Sequence, residues 1–397
     1  MRSPIRLAAL AAWPVYYHAP LYRRIAARRE IDFTVIFAST VGAARPYDAG
    51  YTNSVRWDVD ALGGYRSLFL KRADRNQPNH GPLALRDLDV IGHIVKGRYD
   101  VLWLHGYNYL THQLAMLAQL ACRKPLLVRE EQTLIHPRPW MKRALKQVGL
   151  KWLLSHSYAL YIGTQNRRWF DHYGVPADRQ FFVPYCVDNE RLRFDAQRLP
   201  SKRVIRQQFG VPDTAGPLIV TVGRLIPKKQ PLFLLEAFRR VRSERQCALL
   251  FVGSGQLERD LRNRAREASI PDVYFSGFLN QSDVSKAYRC AEVFVLPSKL
   301  NETWGLVVNE AMNFGLPVVV TDKVGCAVDL VKNAKNGFVV NSEDPQEMAN
   351  KLALLVDSPG LRQHLGRTSL EMVDAWNYDV AASGVVAAAD RALGLPV

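Results

Sequence analysis

The chain contains no uninterrupted apolar run of about 18 residues or more, which excludes a membrane-spanning helix. Cysteine is scarce and scattered. The five, Cys122, Cys186, Cys247, Cys290 and Cys326, are odd in number and none stands in a C-x-x-C pair. That excludes a disulfide framework and a cysteine-based zinc site. It leaves a reducing cytosol as the expected setting, with the cysteines as small buried apolar residues. No repeat at a 20–50-residue period is present, so solenoids and propellers are excluded. The opening Arg6–Ala12 could pass for a short apolar core of a secretory signal but fits a first buried strand better. Acidic residues are sparse in the first half only. Residues 1–200 hold 29 Lys and Arg against 16 Asp and Glu, an excess of 13, whereas residues 201–397 are basic by 3.

The 397 residues, at roughly 150 per domain, favour two domains. Hydrophobic content of 48% and charged content of 23% are those of an ordinary globular protein. In the second half, short wholly apolar runs alternate with helices of about ten residues. Strands are expected at 217–223, 248–253, from 273, 293–297 and 317–320, with helices at 231–241, 257–268, 282–289 and 306–314. Such runs indicate a parallel sheet covered on both faces, and ligands bind beyond the carboxyl ends of its strands. The first half repeats the style more loosely, with strands at 5–12, 33–37, 101–104, 126–128 and 158–162. Tyr47 to Pro82 lacks helical period and reads as a long excursion, and the polar Cys186–Pro200 reads as the linker between domains.

Polar chemistry collects at the ends of the second-half strands. Val222-Gly223-Arg224 through Lys228-Lys229 places cations after one strand and before a helix, a combination suited to a diphosphate. Glu302 and Glu310 flank Gly305, near which a helix should start. Its first N–H groups, at Gly305, Leu306 and Val307, would face an anion, with the carboxylates free to accept sugar hydroxyls. Gly315-Leu316-Pro317-Val318-Val319 then reads as a helix cap and a buried strand. Each of these alone has a bland counterpart: a basic surface loop, a capping glutamate, a structural turn.

Together, Val222-Gly223-Arg224-Leu225, Pro297-Ser298, Glu302, Gly305-Leu306, Glu310-Ala311-Met312 and Gly315–Val319 resemble the family-four retaining glycosyltransferases (glycosyl transferases group 1). The resemblance covers nearly all of 217–357 and runs less sharply into Gly163–Asp188. It implies an α/β protein of the GT-B fold, two Rossmann-like doubly wound domains facing each other across a cleft. The first, 1–186, would bind acceptor and the second, 187–377, the nucleotide-sugar donor, with a final helix at about 378–397 crossing back to the first. Arg224 and Lys229 would hold the diphosphate, Glu302 the transferred sugar, Glu310 the ribose, Gly305, Leu306 and Val307 a phosphate, while Phe278 and Leu279 would lie near the base. The implied reaction is metal-independent hexosyl transfer from a UDP- or GDP-sugar, with retention, to a cell-surface glycan or lipid-linked saccharide. No cofactor beyond the donor is implied.

The chain departs from the family where a glycine-rich loop should follow the first strand and Trp13-Pro14-Val15-Tyr16-Tyr17-His18 stands instead. The family's histidine after a middle strand of the first domain has two candidates here, His105 and the pair Glu130-Glu131. Residues 138–154 mix Arg138, Lys142, Arg143, Lys146 and Lys151 with Trp140 and Trp152. They read either as an ordinary amphipathic helix or as a contact with anionic lipid on the cytoplasmic face of the inner membrane. Asp58-Val59-Asp60 and Asp87-Leu88-Asp89 match a metal-binding D-x-D only by chance frequency, since neither follows a convincing strand. Two other classes share parts of the pattern. A nucleotide-sugar epimerase would share the sheet and diphosphate site. A nucleic-acid-binding protein would explain the charge, although no recognition helix, zinc spacing or aromatic RNA motif supports it.

Overall fold

The computed structural model describes residues 3–43, 58–76, 81–135 and 149–395. The described residues up to Tyr185, joined by those from Asn377 on, form one compact unit, and Cys186–Trp376 form another.

The first unit is built on β1 (Ile5–Ala11), β2 (Ile31–Phe37), β3 (Arg66–Phe69), β4 (Val101–His105), β5 (Leu126–Arg129), β6 (Tyr158–Tyr161) and β7 (Gln180–Phe182). They pair in parallel in the order β3-β2-β1-β4-β5-β6-β7. The central strands are largely buried because helices cover both faces, which is why β1 is wholly apolar from Leu7 on. The helix Tyr378–Ala392 packs on β6, β7 and the helix Ala19–Ala26 of this unit.

The second unit carries β8 (Leu218–Val222), β9 (Ala248–Val252), β10 (Val273–Gly277), β11 (Val293–Leu296), β12 (Val318–Thr321) and β13 (Gly337–Val340), all parallel, in the order β10-β9-β8-β11-β12-β13. Its core packs Ile219, Leu249, Phe251, Val293 and Val295 against Leu234, Phe238 and Leu352 of the covering helices. Both sheets follow the Rossmann order, and each reverses direction once, between β1 and β4 and between β8 and β11. At such a switch point the adjoining loops leave toward opposite faces and open a crevice for ligands. The two units make this an α/β protein of the GT-B class.

Two sequence expectations change. The excursion from Tyr47 to Pro82 contains β3, an edge strand that pairs with β2; residues 44–57 and 77–80 lie outside the described set. The segment given to a linker is a helix, Asn189–Arg198, within the second unit. Asp188 caps it through the N–H of Arg191, Arg193 pairs with Asp374, and Asn313 donates to Asn189 at 2.8 Å. Its polar face binds other polar groups, so it lacks the apolar stripe that would have marked it. The expected basic helix is described only from residue 149. There Leu150, Leu153 and Leu154 are buried and Trp152 is half exposed, whereas Arg138, Trp140, Lys142, Arg143 and Lys146 lie outside the described residues. The D-x-D aspartates cap turns: Asp60 accepts from the N–H groups of Leu62 and Gly63, and Asp87 from those of Arg72 and Asp89.

Candidate active site

The switch point of the second unit collects the residues singled out around Arg224 and Glu302. The β8 and β9 ends approach so closely that a Cβ at Gly253, where φ is 126°, would lie 2.1 Å from the carbonyl oxygen of Gly223. Only glycine serves there. Beyond β8, Arg224 leads through the turn Pro227–Lys229 into the helix Pro231–Arg242. The Lys229 ammonium forms a short ion pair with Glu302 in the loop after β11, and Ser298 Oγ donates to the same carboxylate oxygen at 2.8 Å. The N–H of Lys299 donates to the Lys228 carbonyl at 2.9 Å, so main chain also ties the two loops.

Electrostatics confirms the crowding. Lys228 is held below the ordinary lysine value, first by burial, with Glu302 opposing and the neighbouring charges of Lys229 and Arg224 adding to the fall. Lys228 and Lys229 therefore both act on the Glu302 carboxylate, with Arg224 near Lys228. For Glu302, burial works to raise the pKa, but the Lys229 charge and the hydrogen bonds from Lys229 and Ser298 outweigh it, and the net direction is down. Glu302 is an ionised group held in place.

Glu310 differs. The helix Leu306–Met312 follows Gly305, whose φ of 103° suits glycine; a Cβ there would press on Leu296 Cδ2 at 2.8 Å. Glu310 falls in the second turn, buried, with its Oε2 accepting from the Tyr288 hydroxyl at 2.6 Å. Burial raises its pKa above the usual value, against the Tyr288 bond and the Arg191 charge. Trp304 fixes the helix start: its Nε1 donates to Asn309 Oδ1 at 2.9 Å and its ring packs on Trp376. Leu306 and Val307 occupy the first turn and are partly exposed, and Phe278 and Leu279, also partly exposed, follow β10. Tyr288 joins the site unforeseen, because its contact with Glu310 spans 22 residues, whereas Lys228 and Ser298 belong to the segments already singled out.

The first unit has its own crevice at the β1/β4 switch. A cavity of about 280 Å³ is lined by the Trp13–His18 segment, His105 and Gly106 after β4, and Arg129, Glu130 and Glu131 at the end of β5. Both candidates for the family's histidine, His105 and Glu130-Glu131, thus line one cavity. His105 Nε2 bonds the Tyr22 hydroxyl at 3.0 Å, and its ring lies 4.3 Å from that of Trp103 and 4.9 Å from that of His18. Burial, then the nearby charges of His18 and Arg129, push its pKa well below the ordinary value, so it is a neutral imidazole at pH 7. Tyr185 donates to Glu131 at 2.5 Å.

Two parallel sheets in Rossmann order, each with a polar crevice at its switch point, define the GT-B fold class. The family model for glycosyl transferases group 1 matches residues 201–372. The chain is 30% identical over 327 residues to the D-inositol 3-phosphate glycosyltransferase of Geodermatophilus obscurus, covering 75% of this chain and 70% of that one. It is 32% identical over 205 residues to the sulfoquinovosyl transferase SQD2 of Arabidopsis thaliana, covering 50% of this chain and 37% of the relative. Among solved structures, a glycosyltransferase from Rickettsia africae superposes with a TM-score of 0.73 at 15% identity over 99% of both chains. Anabaena HepE, in complex with UDP and glucose, superposes with a TM-score of 0.68 at 18% identity, covering 96% of this chain and 98% of that one. The chain belongs to the glycosyl transferases group 1, and it is a glycosyltransferase.

Proposed function

We propose that the protein moves a hexose, with retention of anomeric configuration, from a UDP- or GDP-sugar to a hydroxyl of a cell-surface glycan or lipid-linked saccharide. The observation that carries this is the cluster of Arg224, Lys228 and Lys229 with Glu302 at the β8/β11 switch, with Glu310 on the helix that follows. Arg224 and Lys229 hold the donor diphosphate and stabilise the charge that develops on it as the sugar leaves. Gly305, Leu306 and Val307 support a phosphate through their N–H groups. Glu302, kept ionised by Lys229, accepts hydroxyls of the transferred sugar, and Glu310 takes the ribose. Phe278 and Leu279 flank the base. The bond from the anomeric carbon to the diphosphate oxygen breaks and a bond to the acceptor oxygen forms on the same face. The acceptor proton passes to the departing phosphate, so no protein nucleophile takes part. Lysine and arginine supply the positive charge that a divalent ion supplies elsewhere, and EDTA leaves turnover unchanged in this reading.

The first unit binds the acceptor in the cavity shared by His105 and Glu131, with His105, held neutral, directed to the reacting sugars. The excess of 13 positive charges in residues 1–200 favours a lipid-linked acceptor at an anionic surface, placing the enzyme peripherally on the cytoplasmic face of the inner membrane. The test is to incubate the full chain with a panel of UDP- and GDP-sugars and lipid-linked or soluble acceptors, following nucleoside diphosphate release and the anomeric proton of the product. An acceptor-dependent α-linked product from an α-linked donor is expected. Inversion at C2 of the donor without acceptor would make the protein an epimerase instead.

A further inference from the structure

The end of β5 carries a charge whose surroundings leave it unanswered. Arg129 closes the strand Leu126–Arg129 and is only 3% exposed. Its Nε and Nη1 are fully buried and have no hydrogen-bond partner, and its guanidinium faces the ring of Tyr185 at 5.0 Å. Among the described residues no ion pair to it is seen, although Glu130 and Glu131 line the same cavity. A guanidinium stays charged at any pH the fold survives, and a buried charge without a partner is strongly unfavourable. Such a group persists where a ligand completes it. His18, on the same cavity wall, repeats the pattern: it is 8% exposed and its Nε2 has no partner. Burial, with the Arg129 charge, keeps its imidazole neutral and able to donate.

We propose that the first-unit cavity binds an acidic monosaccharide unit, a uronate or a sugar phosphate, with Arg129 holding its carboxylate or phosphate oxygens and His18 donating alongside. The planar fork of arginine matches two oxygens of one oxyanion. Glu130 and Glu131 line the same cavity, and Glu131 already accepts the Tyr185 hydroxyl. Carboxylates there repel a simple anion but accept hydroxyls, so the fitting ligand has both: one acidic group for the cation and a ring of hydroxyls for the glutamates. A cavity of about 280 Å³ takes one sugar ring. The inference rests on the reading of this cavity as the acceptor site and adds the chemical class of what enters it.

Titration calorimetry of the full chain at fixed ionic strength tests it, with glucuronic acid, glucose 6-phosphate and glucose as probes. Binding of one acidic sugar at least tenfold tighter than glucose is expected, and which one wins separates a uronate from a phosphate. Arg129→Met, which keeps the apolar stem and removes the charge, should abolish that preference while UDP or GDP binding and folding are retained. Its ligand-free melting temperature should not fall, because an unpaired buried charge has gone. Equal binding of acidic and neutral sugars, binding of neither acid, or an undiminished preference in Arg129→Met would overturn the proposal. So would a large loss of stability in Arg129→Met, the mark of a structural arginine. Should the variant not fold, Arg129→Lys replaces it: a tenfold loss of acid binding supports the fork, and unchanged binding refutes it. Nucleoside diphosphate release is measured separately, so a failure of glycosyl transfer is distinguished from a failure of acid recognition.

Discussion

At the scale of single residues, the two glutamates of the proposed donor site are tuned in opposite directions by their neighbours, and this has separable consequences. Glu302 is held below its ordinary pKa, so its contribution to stability is full above the usual carboxylate range and is lost as pH falls through its folded value. Lys229→Met leaves that carboxylate buried without its cation and should cost about 3 kcal/mol in urea unfolding at neutral pH. In this variant the deficit should shrink as the pH drops from about 6 to about 4, because Glu302 then takes up a proton instead. A deficit that does not change with pH would show that Lys229 acts through packing alone. Glu310 is raised, chiefly by burial, so as pH rises through its folded value the ionised carboxylate is a burden on the fold. Glu310→Gln should therefore be at least as stable as the parent near neutrality, while binding UDP- or GDP-sugars at least tenfold more weakly by calorimetry. A stable variant with undiminished donor affinity would remove Glu310 from the site. Arg129 differs from both: its Nε and Nη1 are buried without a hydrogen-bond partner, beside a cavity that Glu130 and Glu131 also line.

At the scale of elements, strand ends position the chemistry, and glycine permits the approach. Gly253→Ala places a methyl carbon against the Gly223 carbonyl in a backbone region that side chains avoid. It should cost about 3 kcal/mol and, by displacing the β8 end that carries Arg224, weaken nucleotide binding beyond what stability explains. Donor affinity unchanged in the folded fraction would argue that the β8/β9 contact is structural only. How far these elements can be read from the sequence follows from their surroundings. β8, β9, β11 and β12 are buried and, but for one threonine each in β8 and β12, wholly apolar, so both they and the residues after them stand out. β3 and β7 are edge strands of four and three residues, partly exposed, with no alternation long enough to register. β13 is short and begins at a glycine. The helix Asn189–Arg198 is held by polar bonds such as Arg191 with Gln281 and carries one buried apolar side chain, Leu192, so its sequence resembles a linker. In the proposed donor site, Arg224, Ser298, Glu302 and Glu310 are legible because together they match the family pattern. Tyr288 is not, since a tyrosine in a helix acquires meaning only through a partner 22 residues away. Arg129, a cation ending an apolar strand, carried the same signal as Arg224.

At the scale of the whole chain, charge divides unevenly between the halves, and only the second half is fully engaged by its own sequence pattern. Among the described residues no helix is long and apolar enough to cross a membrane, so contact with lipid would be made by surface charge. The full chain should cosediment with vesicles rich in anionic lipid at about 0.05 M salt and be released by about 0.5 M, where screening shortens the reach of exposed charges. Binding to neutral vesicles of the same size, or binding indifferent to salt, would exclude an electrostatic origin. The central claim, that the β8/β11 switch is a nucleotide-sugar donor site, has a more direct test. The melting temperature of the full chain is measured across a panel of UDP- and GDP-sugars, in parallel with Arg224→Ala and Glu310→Ala. A ligand present at about a hundred times its Kd stabilises the fold by about 2.7 kcal/mol, so one nucleotide class should raise the melting temperature by several degrees in the parent and by little in either variant. No shift with any nucleotide sugar, or equal shifts in parent and variants, would contradict the account.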